Sequence, residues 1–246
     1  MLQEDIIRLI SQGRTDLIIN LLKLDNWKEL LHEGSVRILQ WLVYYDDVTA
    51  LKMILDRGGD LQSINIHEEL ANAAFFGHWK ICDFLIKHGA DVNYKITSTE
   101  ETPLHNAFAK AGRPYYSYVV RLLLEHGADP NARTISGKET GAFMRDVRTK
   151  GETPLHRAAA YGDTTSIQLL LDAGADKTIK DTHGDTALSW ASMHLRPGRI
   201  LYLLQHGAHR VSEKHIEVNT SDHGAGWGNA MDWNLLGDYR PESLSK

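Results

Sequence analysis

Thirteen histidines in a chain of 246 residues are the first place to look for chemistry, because imidazole is both a metal ligand and a base near neutral pH. The stretch IHEELA, residues 66–71, opens like a zinc-protease helix, where a second histidine four residues on shares the metal. That position is Ala71, so the pair is not made. His206, His209, His215 and His223 fall close together without the fixed spacing of a zinc site. GAGWGN, starting at Gly224, has two glycines of a dinucleotide loop, but Asn229 replaces the third and no strand-to-helix context follows. The one cysteine, Cys82, sits between Ile81 and Phe84 in a helical pattern, the setting of a small buried hydrophobe rather than a nucleophile. No serine stands in a Gly-x-Ser-x-Gly elbow. Nucleophile, base and oxyanion donors never assemble, so the expectation is a protein that is no enzyme and uses no cofactor and no metal.

Composition narrows the field further. A hydrophobic content of 42% supports a real core, and a formal net charge of -5 offers no basic field for nucleic acid or an anionic membrane. A lone cysteine cannot form an internal disulfide. The N-terminus MLQEDIIRLI lacks the basic region and apolar run of a signal peptide. No apolar stretch reaches the roughly 18 residues that span a bilayer. A cytoplasmic monomer whose partner is another protein is the expectation, with neither nucleic acid nor membrane bound.

The elements that could position anything come in copies. TPLH occurs at 102–105 and 153–156, and DTAL at 185–188 places Thr186 33 residues after Thr153. Gly-Ala-Asp or a near copy closes successive segments at Gly58, Gly89, Gly127, Gly174 and Gly207. A tandem period of this length marks a repeat architecture. Within one copy, Thr153 can cap a helix, Pro154 suits its first position, and Leu155, Ala158 and Ala159 form a thin apolar face. A second helix carries Ile167, Leu170 and Leu171, and Gly174 ends it in a left-handed turn. One such pair cannot bury its apolar faces alone, so its copies must stack.

These motifs, with GHWKICDFLIKHGADVN and YSYVVRLLLEHGADPN, resemble the ankyrin repeat family over residues 1–210. The resemblance implies an all-α solenoid of about six helix-turn-helix units with short hairpin fingers and a C-terminal capping tail. The units fall near 1–35, 36–66, 67–98, 99–134, 150–181 and 182–210, the first two degenerate, with an insert at 135–149 and the tail at 211–246. In place of its own Gly-Ala-Asp finger, the first unit has LLKLDNWKELLHEGS. KAGRPYYSY widens the turn inside the fourth unit, and fourteen extra residues around ISGKETGAFMRDVR separate the fourth from the fifth. That insert reads as a tolerated surface loop or as part of a binding side. The tail, with Trp227, Trp233, Leu235, Leu236 and Tyr239, reads as a cap or as a segment that docks in a groove. The resemblance also implies that His105 and His156 bond within and between units, and that Asn93 and Asn131 match finger asparagines hydroxylated in animal ankyrin proteins.

Residues two positions past each buried triplet turn about 200 degrees away from it. They are Arg8, Ser11 and Gln12; Trp41, Tyr44 and Tyr45; Asn72, Phe75 and Phe76; Asn106, Ala109 and Lys110; Arg157, Ala160 and Tyr161; and Trp190, Met193 and His194. The resemblance puts first helices on a concave surface. Trp41, Tyr44, Tyr45, Phe76, Lys110, Arg157, Tyr161, Trp190, Met193 and His194 are therefore the candidate partner-binding residues, rich in the aromatic and cationic types of interface hot spots. The opposing reading is that these side chains pack against neighbouring units or lie under the tail. The function expected is a scaffold, adaptor or inhibitor binding a protein on its concave face and fingers. The alternative is an accessory, immunity or inhibitory protein for an enzyme or toxin, or an enzyme with its site in the insert and tail.

Overall fold

The computed structural model describes residues 2–33, 37–109, 116–140 and 148–206. The C-terminal tail, Lys110 and the middle of the insert lie outside the described residues. In the first unit α1 (Gln3–Ser11) precedes a short 3-10 turn, α2 (Ile18–Leu21) and α3 (Trp27–His32), the last standing where later units carry a finger. The second and third units pair α4 (Ile38–Tyr44) with α5 (Val48–Asp56), and α6 (Ile66–Phe76) with α7 (Trp79–Lys87). The last three pair α8 (Pro103–Asn106) with α9 (Tyr116–Glu125), α10 (Pro154–Tyr161) with α11 (Thr164–Asp172), and α12 (Ala187–Met193) with α13 (Gly198–Leu204). Among the described residues there is no strand, only isolated bridges Glu139 to Arg148 and Lys180 to Thr186. First helices touch in the order α1, α4, α6, α8, α10, α12, and second helices α5 to α13 likewise. Among the described residues the result is an all-α stack of helix pairs in two rows.

The local chemistry explains each turn of the chain. Leu155, Ala158, Ala159, Ile167 and Leu170 are buried, while Leu171 is only partly covered and packs against the edge of the core. Each fully buried Leu or Ile contributes roughly 1.5–3 kcal/mol, and small alanines let the two helices of a unit come close. Gly174 has φ +88°, and a Cβ placed there would meet nothing within 4 Å. The backbone conformation, not crowding, therefore demands glycine.

Units are joined by polar side chains as well as by apolar packing. His105 Nδ1 accepts the Thr102 amide at 3.2 Å, so the neutral ring carries its proton on Nε2. That Nε2 donates to the Glu152 carbonyl of the next unit at 3.2 Å. His156 repeats the arrangement, taking the Thr153 amide at 3.2 Å and donating to the Asp185 carbonyl at 3.1 Å. Asn93 donates to the Gly127 carbonyl at 2.9 Å and accepts the Asp129 amide at 2.8 Å. Asn131 does the same to Gly174 and Asp176, at 3.0 and 2.8 Å.

The described residues of the insert lengthen one finger. Thr134 donates its amide to the Glu152 carbonyl as Asp181 does to Asp185, but the first pair is 18 residues apart and the second 4. The stem continues through Gly137 to Thr149 and Thr149 to Lys138, at 2.6 and 2.8 Å. Neighbouring fingers are tied sideways by Ile135 to Thr99 at 2.7 Å and Thr182 to Lys150 at 2.9 Å. Arg133 adds bonds to the Gly151 and Lys180 carbonyls.

Replacing Asn131 by Ala removes both bonds of its carboxamide and leaves a carbonyl and an amide of the next unit without that partner. The expected cost is about 1–2 kcal/mol in urea unfolding; an unchanged midpoint would show that these bonds add nothing to the coupling of units.

Candidate interaction surface

The ends of α4 and α6 expose a cluster of rings. Tyr44 is the last residue of α4, Tyr45 caps it, and Phe75 and Phe76 end α6 before left-handed Gly77. Tyr44 meets Tyr45 and Phe76 edge-on with centroids 5.0 and 5.1 Å apart, and Phe76 meets Phe75 edge-on at 5.1 Å. His78 stacks on Phe76 at 5.5 Å, while its Nδ1 donates to the Val43 carbonyl at 3.0 Å. The Tyr45 hydroxyl donates to the Ser11 carbonyl at 2.9 Å, and its ring covers Gly13. Tyr116 braces the cluster through a bond from its hydroxyl to the Phe75 carbonyl. Tyr44 is 54% exposed, and its hydroxyl has no partner among the described residues. The chain thus spends two first-helix ends on a fixed aromatic ridge, with Trp41 partly buried against the core beside it.

Farther along, the stripe read from the sequence divides. Tyr161 and His194, at the equivalent ends of α10 and α12, meet edge-on at 5.1 Å, and Met193 is half-buried beside them. Arg157 and Trp190 do not belong to a surface. Arg157 is 0% exposed and Trp190 4%, because positions turned away from the helix pair point under the finger backbone of these units. The Trp190 indole donates to Asp181 at 3.0 Å, and Lys150 Nζ lies 5.4 Å from its ring. Asn106, Ala109 and Ala160 are buried for the same reason. Lys110, the remaining candidate, lies outside the described residues.

Arg157 instead centres a buried ion cluster. Its Nη1 reaches Glu101 at 2.7 Å, and its Nη2 reaches Glu152 at 2.6 Å. The far oxygen of Glu152 accepts Thr134 Oγ1 and the Lys150 amide at 2.7 and 2.6 Å, and Glu101 accepts Thr140 Oγ1 at 2.6 Å. Burial alone would raise the Glu152 carboxyl, but the Arg157 guanidinium overrides it and holds the pKa at about 2. Burial, with Arg157 adding to it, pushes His105 down to about 4, and burial lowers His156 as well. Burial also raises the Cys82 thiol, which keeps it protonated. No group of three His, Cys, Asp or Glu among the described residues is placed to hold a metal. His88 and His126 donate back to the carbonyls of Phe84 and Leu122 in their own helices, which accounts for their recurrence before the closing glycines.

Two features escaped the helical reading of the stripe. His78 joins the ridge only because left-handed Gly77 swings the chain back beneath Phe76, and a helical wheel ends at that glycine. Trp79 and Tyr118 are 40% and 57% exposed on second helices, whose outward faces the stripe does not include. Their offset from the buried Ile and Leu positions was the available signal.

Stacked helical hairpins and a row of fingers define a class: a helical-repeat protein. The chain belongs to the ankyrin repeat family, matching the model for ankyrin repeats in three copies over residues 39–134 and 136–214. Such repeats are in general non-catalytic and bind proteins. The chain is similar to the palmitoyltransferase AKR1 of Saccharomyces cerevisiae, 42% identical over 59 residues, which take in 24% of this chain and 8% of that protein. It is also similar to the target of rapamycin complex 2 subunit AVO2 of the same yeast, 29% identical over 164 residues, 65% of this chain and 34% of that one. The chain therefore covers well under two thirds of either relative's length. No helix among the described residues is long and apolar enough to cross a membrane.

Arg157→Met strands two buried carboxylates and is expected to cost about 3–5 kcal/mol in chemical denaturation; a cost below 1 kcal/mol would mean the cluster is solvated. Acid acts in two stages. His105 resists protonation down to about 4 when folded but takes a proton near 6.5 when unfolded, so stability complete above pH 6.5 drains as pH falls through that window. Glu152 extends the loss from 4.5 toward 2. Thermal melts at pH 7, 5.5 and 4 should fall steadily, and His105→Gln should flatten the upper part of that slope; a slope unchanged by the substitution removes His105 as its cause.

Proposed function

We propose that the protein is a non-enzymatic interaction module that holds a protein partner on the ridge of Tyr44, Tyr45 and Phe76. Trp41, Tyr161, Met193 and His194 extend the contact along the first-helix row. The observation carrying this reading is the braced aromatic cluster on α4 and α6, in which Tyr44 and Tyr45 are exposed and Phe76 is half-buried beside them. Rings of this kind lose little side-chain entropy on binding and often act as the anchors of an interface. The fingers, which lead into the N-terminal ends of the first helices, would offer such a partner a second contact. A subunit of a complex among the relatives, AVO2, fits a scaffold or adaptor role.

A second reading draws on the other relative, a palmitoyltransferase. In that case the repeats would dock a substrate or partner for catalysis carried out elsewhere, and the same ridge would do the docking.

Affinity capture with wild type and with Tyr44→Ala/Phe76→Ala tests both. Loss of the captured partner by about tenfold or more is expected, with the melting point moved by no more than about 2 °C, since surface changes rarely cost more. Retained capture by the double variant would remove the ridge from the interface, and a large drop in melting point would make it core.

A further inference from the structure

On the opposite helix row, α5 and α7 leave an open groove of about 380 Å³ between them. Val48, Leu55 and Phe84 line it with apolar atoms, and Trp79 stands at one side, 40% exposed. Trp79 leans on Tyr118 of α9 with centroids 6.1 Å apart, so the apolar strip continues past the groove onto the next unit. An open trough with an exposed indole is a shape for a chain segment laid across it, not for an enclosed small molecule.

The charges decide what kind of segment. Lys80 lies over the Trp79 ring at 5.7 Å, and neither it nor Lys52 across the groove has a carboxylate partner among the described residues. Lys87 is paired with Asp83 at 2.7 Å, and Asp56, the other acid lining the groove, has no such pairing among the described residues. The groove is therefore net positive on a chain whose formal charge is -5. A Lys pair flanking an indole complements carboxylates on either side of an apolar side chain and repels a basic segment.

We propose that this groove is a second docking site, which takes an amphipathic segment of a partner protein carrying an apolar residue between acidic ones. Trp79 is the anchor, and Lys52 and Lys80 set the choice of charge. The groove runs along second helices whereas the ridge stands at the ends of first helices, so substitutions in each distinguish the two sites.

Two synthetic amphipathic helical peptides of about 16 residues, sharing one Leu/Phe face and flanked by Glu in one and Lys in the other, test this by fluorescence anisotropy against the full chain. The Glu-flanked peptide is expected to bind at least about tenfold tighter than the Lys-flanked one, with the gap narrowing as salt rises. Trp79→Ala should weaken it by about tenfold or more, and Lys52→Glu/Lys80→Glu should invert the preference while preserving the melting transition. Tyr44→Ala/Phe76→Ala should leave it unchanged. Equal affinity for both peptides, no binding of either, or indifference to Trp79→Ala would each overturn the proposal. So would self-association of the chain that Trp79→Ala abolishes, because a second copy would then occupy the groove.

Discussion

A helix pair with apolar groups on both flanks has no stable existence in water by itself, and this protein is built from that deficiency. Each unit of two or three short helices borrows its missing walls from the units before and after it, which is why contacts run in strict order along both rows. Stacking alone would leave neighbouring units free to slide. The buried histidines remove that freedom, because each ring is fixed at Nδ1 by its own unit and at Nε2 by a carbonyl of the next. Finger asparagines repeat the same logic on the outer edge, reading one donor and one acceptor of the following turn.

The junction between the fourth and fifth units bears an extra demand, since the longest finger leaves the body there. A guanidinium shut away from water sits beneath it, tying Glu101 ahead of one first helix to Glu152 ahead of the next. A buried charge cluster is not a cheap source of stability. Its use here is directional: Thr134, Thr140 and the Lys150 amide all bond to the same two carboxylates, so finger and body share one fixed geometry.

Much of this was written plainly in the chain. Thr153, Pro154, Leu155 and Gly174 carry local rules for capping, entry, burial and exit, and period carries the stacking. The ridge at Tyr44, Tyr45 and Phe76 was legible for the same reason, since helical spacing tells which side chains oppose the core. Arg157 and Trp190 were misplaced because a helical wheel knows only inside and outside of one helix. What covers them is the finger of another stretch of chain, Asp181 and Lys150 for the indole and Glu101 and Glu152 for the guanidinium. Nothing in the spacing of a single unit announces such long-range cover. Trp79 opens a second helix, a row on which the spacing of first helices has no bearing.

The lengthened finger has a wider meaning. Its two limbs are zipped by Thr134 with Glu152 and Gly137 with Thr149, and the repeat resumes in register at Thr153 as though nothing had intervened. Closing a longer loop over such a base costs little. Here the architecture separates what must be inherited unchanged from what can be lengthened: a finger can grow by more than a dozen residues while the frame on either side keeps its period.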